Sequence, residues 1–251
     1  MSEKSARANL EPRFSPIVEL RRYTLHPDRR ETLIALFDTH FIESQEACGM
    51  KIIGQFRDLD DPNAFVWLRG FDDMQTRHAA LSAFYGGPVW AQHRNAANST
   101  MVDSHDVLLL QPADNVGGFA LSNARPPKGM TAEPTTVIQA VTYRLKQPAE
   151  TGFLSFYLTA VRSALEDATD ACIAHLATDH SANTFTQLPV RLGENVFVTF
   201  SRFDNTGAQA TFARHLAQSI TWQAVQMALS DYLIAPPAIA RLMPTARSLL
   251  R

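Results

Sequence analysis

The chain repeats its own pattern of apolar and turn residues, and this repeat constrains the fold more than any other feature. Identity between the two halves is low, but the apolar positions and the breakpoints stay in register. At an offset of 121, the alignment pairs residues 17–27 with 138–148 and residues 51–58 with 172–179. An insertion of 11 residues in the second half then raises the offset to 132. At this offset, residues 65–72 pair with 197–204 and Trp90 pairs with Trp222. We therefore expect two copies of one structural unit.

The order of elements within each half predicts the type of unit. Short β-branched and aromatic runs such as "VELRRYTL" and "FVWLRGF" indicate strands. Leu33, Phe37 and Phe41 recur at helical spacing between the first two strands, and Asp72 followed by Gln75 predicts the cap of a second helix. The resulting order of strand, helix, strand, strand, helix, strand is the ferredoxin-like arrangement. Helices cover one face of such a sheet, so we expect the other face to meet the sheet of the other half.

Composition shifts give the domain boundaries. We predict a flexible tail at 1–16, a first ferredoxin-like unit at 17–112, a linker at 113–134 that is rich in Gly, Pro and small polar residues, and a second, diverged unit at 135–251.

Charge and cysteine content exclude several classes of function. The formal net charge is −2, which gives no general attraction to nucleic acid or to anionic membranes. Cys48 and Cys172 show no metal-binding or disulfide spacing. The sequence has neither a signal peptide nor an apolar run of about 18 residues, so we expect a cytoplasmic protein without membrane insertion.

Four segments in this order resemble the NIPSNAP family: "VELRRY", "FVWLRGFDDM", "FYGGPVWAQHR" and "RLMPTARSLL". The resemblance implies an α+β fold of the dimeric α/β-barrel superfamily, in which the antiparallel sheets of two tandem ferredoxin-like units pack around a cavity as a pseudo-dimer. The wider superfamily includes cofactor-free monooxygenases, heme-handling enzymes, aldoxime dehydratases and polyketide cyclases, so the fold leaves the chemistry open. The second half departs from the family pattern, since it has "TFSRF" in place of "WLRGF" and lacks the Gly-Gly-Pro.

Alternation along the strands separates two faces of the first sheet. The aliphatic side, with Val18, Leu20, Val66 and Leu68, is predicted to lie under the helices, and Ile52, Gly54 and Phe56 of the second strand are assigned to the same side. The opposite side would then face the barrel cavity, and it carries Glu19, Arg21, Tyr23, Gln55, Arg57, Trp67 and Arg69.

This polar face is either a salt-bridge network that registers the two sheets or the floor of a ligand site. In a ligand site, Glu19 and Tyr23 would transfer protons and Arg69 would stabilise an anion, as catalytic residues. The residues that would bind substrate are Arg21, Gln55, Trp67, Tyr85 and Trp90.

Most of this set is missing from the second half of the chain. The repeat alignment places Ala140, Thr142, Arg144, Leu176, Thr199 and Ser201 at the positions of Glu19, Arg21, Tyr23, Gln55, Trp67 and Arg69. A single working pocket in the first half would explain this divergence, and simple drift would produce the same pattern.

Two loops and the histidines complete the prediction. The segment "FYGGPVW" follows a helix, which argues against a phosphate cradle, and we predict that Tyr85 borders the cavity of Glu19 and Arg69. The insertion at 180–192 would cover a cavity mouth, contact a partner or form a surface excursion. The eight histidines show no convincing metal spacing, so we expect neither a metal nor a cofactor.

The sequence thus predicts a protein that binds a small aromatic, carboxylate or enolisable molecule in the barrel cavity of the first half. One alternative is a cofactor-independent enzyme of the monooxygenase, isomerase or cyclase type, with Glu19 and Tyr23 transferring protons and Arg21 and Arg69 stabilising an anion. A second alternative is a non-catalytic interaction scaffold. Whether the halves pair within or between chains, and whether the protein forms a homo-oligomer, stays open.

Overall fold

The computed structural model describes residues 15–121, 124–166 and 171–251. The tail predicted at 1–16 lies almost wholly outside the described residues. The predicted boundaries at 112, 134 and 135 stay predictions, although β4 ends at Pro112 and β5 begins at Val137.

Eight antiparallel strands form one closed barrel within this single chain. The strands are β1 Ile17–Leu25, β2 Lys51–Asp58, β3 Ala64–Phe71, β4 Met101–Pro112, β5 Val137–Leu145, β6 Cys172–Thr178, β7 Asn195–Phe203 and β8 Ala238–Pro244. Their order around the barrel is β1, β3, β2, β8, β5, β7, β6, β4, so the sheets of the two halves join where β2 pairs with β8 and where β4 pairs with β6. The predicted tandem ferredoxin-like pseudo-dimer is confirmed.

Helices pack on the outside of each sheet. Helix α1 runs through three consecutive segments, Arg30–Leu36, Phe37–Phe41 and Ile42–Ala47, and α4 through Phe153–Phe156, Tyr157–Val161 and Arg162–Glu166, with a π-helical middle segment in both. The other helices are α2 Met74–Tyr85, α3 Pro88–Asn98, α5 Thr206–Gln218 and α6 Ile220–Leu229. Among the described residues, no helix is long and apolar enough to cross a membrane.

The cap of α2 lies one residue later than predicted. Asp73, and not Asp72, accepts a hydrogen bond from the Thr76 backbone N–H at 2.7 Å, and the Thr76 hydroxyl accepts one from the Asp73 N–H at 2.9 Å. Thr76 therefore takes the place that the sequence pattern gave to Gln75. Asp72 instead forms an ion pair with Lys51 at the sheet end.

The two faces of the first sheet are the reverse of the prediction. The aliphatic residues fill the barrel interior together with residues of the second sheet: Val18, Leu20, Val66, Leu68, Ile138 and Val198. Tyr23 and Trp67 belong instead to the cluster between the first sheet and its helices. Alternation assigns residues to two faces, but it does not say which face meets the helices. The interior between the two sheets is lined by aliphatic and phenylalanine side chains, and the charged groups lie where helical side chains can reach them.

A bulge on β2 changes the alternation within that strand. Ile52 packs toward the helices, as predicted, and pairs with Arg69, whereas Gly54 pairs with Leu68. The register shift between them brings Phe56 into the barrel, contrary to prediction, and places Gln55 opposite Trp67 on the helix-facing side.

Strand register also corrects the repeat. Glu19 pairs with Arg69 in the first half and Gln139 pairs with Ser201 in the second. Since Ser201 corresponds to Arg69 at the offset of 132, Gln139 corresponds to Glu19 and the first offset is 120, not 121. The same offset superposes the two π-helical segments, so the insertion has 12 residues rather than 11. Low identity allowed the one-residue slip, which exchanges the two faces of a strand.

Candidate functional site

A buried ion cluster lies between the first sheet and its helices. Glu19 is fully buried on β1 and contacts three arginines. Its Oε2 accepts hydrogen bonds from Arg21 Nη1 at 2.7 Å and from Arg69 Nε at 2.8 Å, and its Oε1 accepts one from Arg77 Nε at 2.7 Å. The polar residues predicted on one strand face therefore do lie together, but under the helices and not in the sheet-to-sheet cavity.

The cluster carries more positive than negative charge. Among the residues that the structure describes, Glu19 is the only carboxylate that pairs with Arg21, Arg69 and Arg77, which leaves an excess of two positive charges. Burial by itself would raise the pKa of Glu19, but the charges of Arg69, Arg21 and Arg77 hold it well below its usual range. Glu19 therefore stays ionised, and as a base it is weak.

Several buried polar atoms around the cluster have no hydrogen-bond partner among the described residues. They are Arg77 Nη2, Trp67 Nε1 and both side-chain amide atoms of Gln55. Buried donors without partners carry a desolvation penalty of about 1–3 kcal/mol each. Such atoms are common where a ligand or an ordered water completes the site.

A small cavity lies between the cluster and the helices. Its volume is about 30 Å³, and its lining includes Tyr23, Gln45, Trp67, Tyr85 and Trp90. The Tyr23 hydroxyl accepts a hydrogen bond from Arg21 Nε at 3.0 Å, and burial raises the pKa of this phenol. A cavity of this size holds a water molecule or two, so a larger ligand needs side chains of the wall to move.

Tyr85 stands at the outer wall of this cavity. Its ring centroid lies 6.0 Å from the guanidinium carbon of Arg69 and 4.9 Å from the ring of Trp90. Helix α2 ends here because Gly86 and Gly87 follow, and Pro88 occupies the first turn of α3. The joint between the helices thus positions two of the predicted binding residues side by side.

The insertion of the second half covers the first-half cluster. Asn183 Oδ1 and Thr184 Oγ1 accept hydrogen bonds from Arg77 Nη1 at 3.0 and 3.3 Å. Phe185 is buried and stacks on Tyr85 at a centroid distance of 5.9 Å and an interplanar angle of 27°. The insertion is therefore not a free surface excursion, because its residues pack on Arg77 and Tyr85.

The second half contains a neutral counterpart of the cluster. Gln139 and Gln209 replace Glu19 and Arg77, and Gln209 Nε2 donates to Gln139 Oε1 at 2.7 Å. With the corrected offset, Tyr143 and not Arg144 corresponds to Tyr23. The other equivalents are Val141 for Arg21 and His175 for Gln55, in place of Thr142 and Leu176.

Arg77 and Gln45 are the main site residues that sequence reasoning missed. Arg77 lies three residues after Met74 and four before Leu81, on the apolar face of α2. A charged residue at this spacing on an apolar helix face indicates a buried arginine, and the sequence could have been interpreted in this way. Gln45 accepts a hydrogen bond from Arg69 Nη1 at 3.3 Å. Contacts of the 180–192 insertion had no sequence signal, because they join segments more than 100 residues apart.

The histidines hold no metal-like cluster in the described parts of the chain. His40 and His93 stack at 3.8 Å between ring centroids on the outer side of the helices. His175 Nε2 lies 3.1 Å from Asp114 Oδ1, beside Tyr157 and Phe197. These contacts describe packed histidines.

Comparison with known proteins gives a family match for the first half of the chain. Residues 18–115 match the NIPSNAP family model. A search of the curated proteins finds no significant match.

Solved structures share the architecture over nearly the whole chain. A proposed monooxygenase from Fusobacterium nucleatum is similar at a TM-score of 0.56 with 8% identity, covering 94% of both chains. A second proposed monooxygenase, from Lactobacillus acidophilus, gives 0.53 with 13% identity over 92% of this chain and 94% of that one. An anthrone oxidase-like protein gives 0.55 with 11% identity over 91% of both chains. At these identities the likeness shows the fold alone.

Proposed function

We propose that the first half of the chain, whose residues 18–115 match the NIPSNAP family model, binds a small organic anion between its sheet and its helices. The ligand would be an aromatic carboxylate, phenolate or enolate. The observation that carries the proposal is the buried cluster of three arginines around one glutamate. Uncompensated charge in a protein interior is costly, and an anionic ligand removes that cost.

The roles of the individual residues follow from their positions. Arg69 and Arg77 supply positive charge, and Trp67 Nε1 and Arg77 Nη2 offer donors without partners in the described structure. The rings of Tyr85 and Trp90 form an aromatic wall against which a planar ligand stacks. Glu19 holds the arginine side chains in place and lowers the net charge of the site. The ligand-binding site is therefore under the helices rather than in the barrel.

The cavity of about 30 Å³ sets a requirement on binding. A ring-sized ligand enters only when Tyr85, which lines the cavity, and Phe185, which stacks on Tyr85, move outward. Because Phe185 belongs to the second half, the two halves contribute to one site.

The test combines native mass spectrometry with calorimetry. The freshly purified protein is expected to release an organic anion on denaturation, and benzoate is expected to bind to the emptied protein while benzamide does not. The Trp67→Phe variant, which loses the indole N–H together with part of the ring, should bind benzoate about tenfold more weakly. Equal binding of benzoate and benzamide, or binding of neither, would leave the interaction-scaffold alternative as the better account.

A cofactor-independent enzyme is the second candidate. The Tyr23 hydroxyl lines the cavity and accepts a hydrogen bond from Arg21, so its own proton is available to a bound enolate oxygen. Glu19 is a weak base because its pKa is low, and Tyr23 stays protonated because burial raises its pKa, so water would take the proton from the substrate carbon while the Tyr23 hydroxyl and the arginines stabilise the enolate that forms. Two neighbours described as monooxygenases and one as anthrone oxidase-like make an enolisable aromatic ketone a suitable probe.

Proton transfer can be tested without assuming the later steps. Loss of deuterium from labelled anthrone should be faster with the native protein than with the Tyr23→Phe variant. A rate that both proteins raise equally, or that neither raises, would argue for binding without catalysis.

A further inference from the structure

A second, larger pocket opens at one end of the barrel interior. Its volume is about 320 Å³, within the range of small-molecule sites. Its floor is formed by aliphatic residues of both sheets: Leu20, Val66, Leu108, Ala140, Ala240 and Leu242. These side chains point away from the helices, so this pocket and the ion cluster lie on opposite faces of the first sheet.

An asymmetry between the halves explains the space. Leu20 pairs with Leu108 across β1 and β4, and the equivalent cross-strand pair on β5 and β8 is Ala140 with Ala240. Two leucines of the first half are thus replaced by two alanines of the second. Interiors are normally packed without large voids, so a pocket opened by paired small residues is a built feature of the barrel end.

Charged residues surround the mouth of the pocket. Arg22 donates to Asp61 at 3.1 Å and also forms an ion pair with Asp58. Arg191 Nη1 donates to Asp106 at 2.9 Å, and its other nitrogens are engaged by Glu194. The guanidinium donors of Arg22 and Arg191 are therefore largely used by protein carboxylates.

The carboxylates at the mouth of the pocket can accept further hydrogen bonds. Asp61 and Asp106 are each 43% exposed, and a carboxylate accepts about four hydrogen bonds. The pocket is lined by four carboxylates, of Asp58, Asp60, Asp61 and Asp106, and by three guanidiniums, of Arg22, Arg144 and Arg191, of which Arg144 is exposed. The rim thus favours a ligand head group that is positively charged and donates hydrogen bonds.

We propose that this barrel-end pocket binds an amphipathic amine. The apolar body lies on the aliphatic floor, and the ammonium group donates to Asp61 and Asp106. This site is separate from the proposed anion site in position and in ligand charge, so either proposal can fail without the other.

The experiment compares three ligands of equal chain length by calorimetry on the full chain: octylamine, octanol and octanoate. Octylamine is expected to bind at least tenfold more tightly than octanol. The Asp61→Asn variant should bind octylamine about tenfold more weakly than the wild type does. Preference for octanoate would instead assign the head group to Arg144 and overturn the amine assignment.

Filling the pocket tests its location. Ala240→Leu restores the leucine found at the equivalent position of the first half and should abolish octylamine binding, while Ala96→Leu on the exposed side of α3 should not. A smaller change, Ala240→Val, covers the case in which the leucine disturbs folding, and it should weaken octylamine several-fold. Unchanged octylamine affinity in a folded Ala240→Leu or Ala240→Val variant overturns the site.

Discussion

Gln209 donates a hydrogen bond of 2.7 Å to Gln139 at the position where, in the first half, Arg77 donates one of the same length to Glu19. The two pairs connect equivalent helices and strands of the repeat, since both register shifts and both caps correspond. A charged pair in one half and a neutral pair in the other show that the framework does not require the charges. The charge is specific to the first half, which is why we connect it with ligand binding.

Exchanging the neutral pair for a charged one should expose this difference. Gln139→Glu places an ionised group in a buried position without a cation, so we expect a loss of about 3 kcal/mol in the free energy of unfolding. Gln209→Arg added to it should recover at least about 1 kcal/mol, measured by chemical denaturation in a double-mutant cycle. If the changes in the free energy of unfolding of the two substitutions are strictly additive, the introduced carboxylate and guanidinium do not interact, and the second half cannot form the ion pair.

Removing the carboxylate of the first half should be costly. Glu19→Gln leaves Arg21, Arg69 and Arg77 buried without a counter-ion, and we expect a loss of about 3–5 kcal/mol in the free energy of unfolding. The control is Glu31→Gln, which breaks the more exposed pair with Arg57 and should cost less than about 1 kcal/mol. Urea denaturation of both variants measures the contrast, and similar losses would contradict the account of the cluster.

Asp38 should give stability an unusual pH dependence. Burial raises the pKa of Asp38 from its ordinary value of 3.8 to about 6 although nearby arginines oppose the shift, and its Oδ1 has no hydrogen-bond partner in the described structure. A carboxyl with a raised pKa contributes stability that is present below about pH 4 and is lost as the pH rises through 6. Asp38→Asn should therefore stabilise the protein, relative to wild type, more at pH 7 than at pH 4.

A control with the opposite sign is available for this prediction. Hydrogen bonds with Arg241 are the main reason that the pKa of Asp60 is lowered. Asp60 therefore stabilises the fold at pH values above its ordinary pKa, and this stabilisation is lost as the pH falls below it. Asp60→Asn should therefore destabilise more at pH 7 than at acidic pH. Thermal unfolding across this range measures both variants, and parallel pH profiles would refute the assignment for Asp38.

Opening the cover should expose the cluster. Phe185→Ala removes the ring that stacks on Tyr85, and we expect acrylamide to quench Trp67 fluorescence several-fold more strongly, because Trp67 is only 2% exposed in the closed structure. The measurement uses a Trp90→Phe, Trp222→Phe background, in which Trp67 is the remaining tryptophan of the three. Leu192→Ala, in the same insertion but 66% exposed, should leave the quenching unchanged.

The arrangement of the site was predictable only in part. Alternation along β1 and β3 correctly grouped Glu19, Arg21, Tyr23, Trp67 and Arg69, since the period of a strand is two whatever surrounds it. Strand periodicity does not indicate which of the two faces the helices cover. On β2, where a bulge interrupts the ladder, alternation failed for Phe56.

The repeat shows the same division. The sequence by itself determined two ferredoxin-like units, their order of strands and helices, and the resemblance to the NIPSNAP family that the family model shows over residues 18–115, because apolar periodicity, turn residues and short motifs are local properties. Tertiary structure decided the offset of 120, because hydrogen-bonded pairs such as Gln139 with Ser201 fix a register that weak similarity leaves one residue uncertain. It alone also decided that Arg77 completes the cluster of Glu19, that Phe185 of one half covers the site of the other, and that the barrel end is open. Each of these depends on packing between segments far apart in the chain, and local sequence patterns carry no record of such contacts.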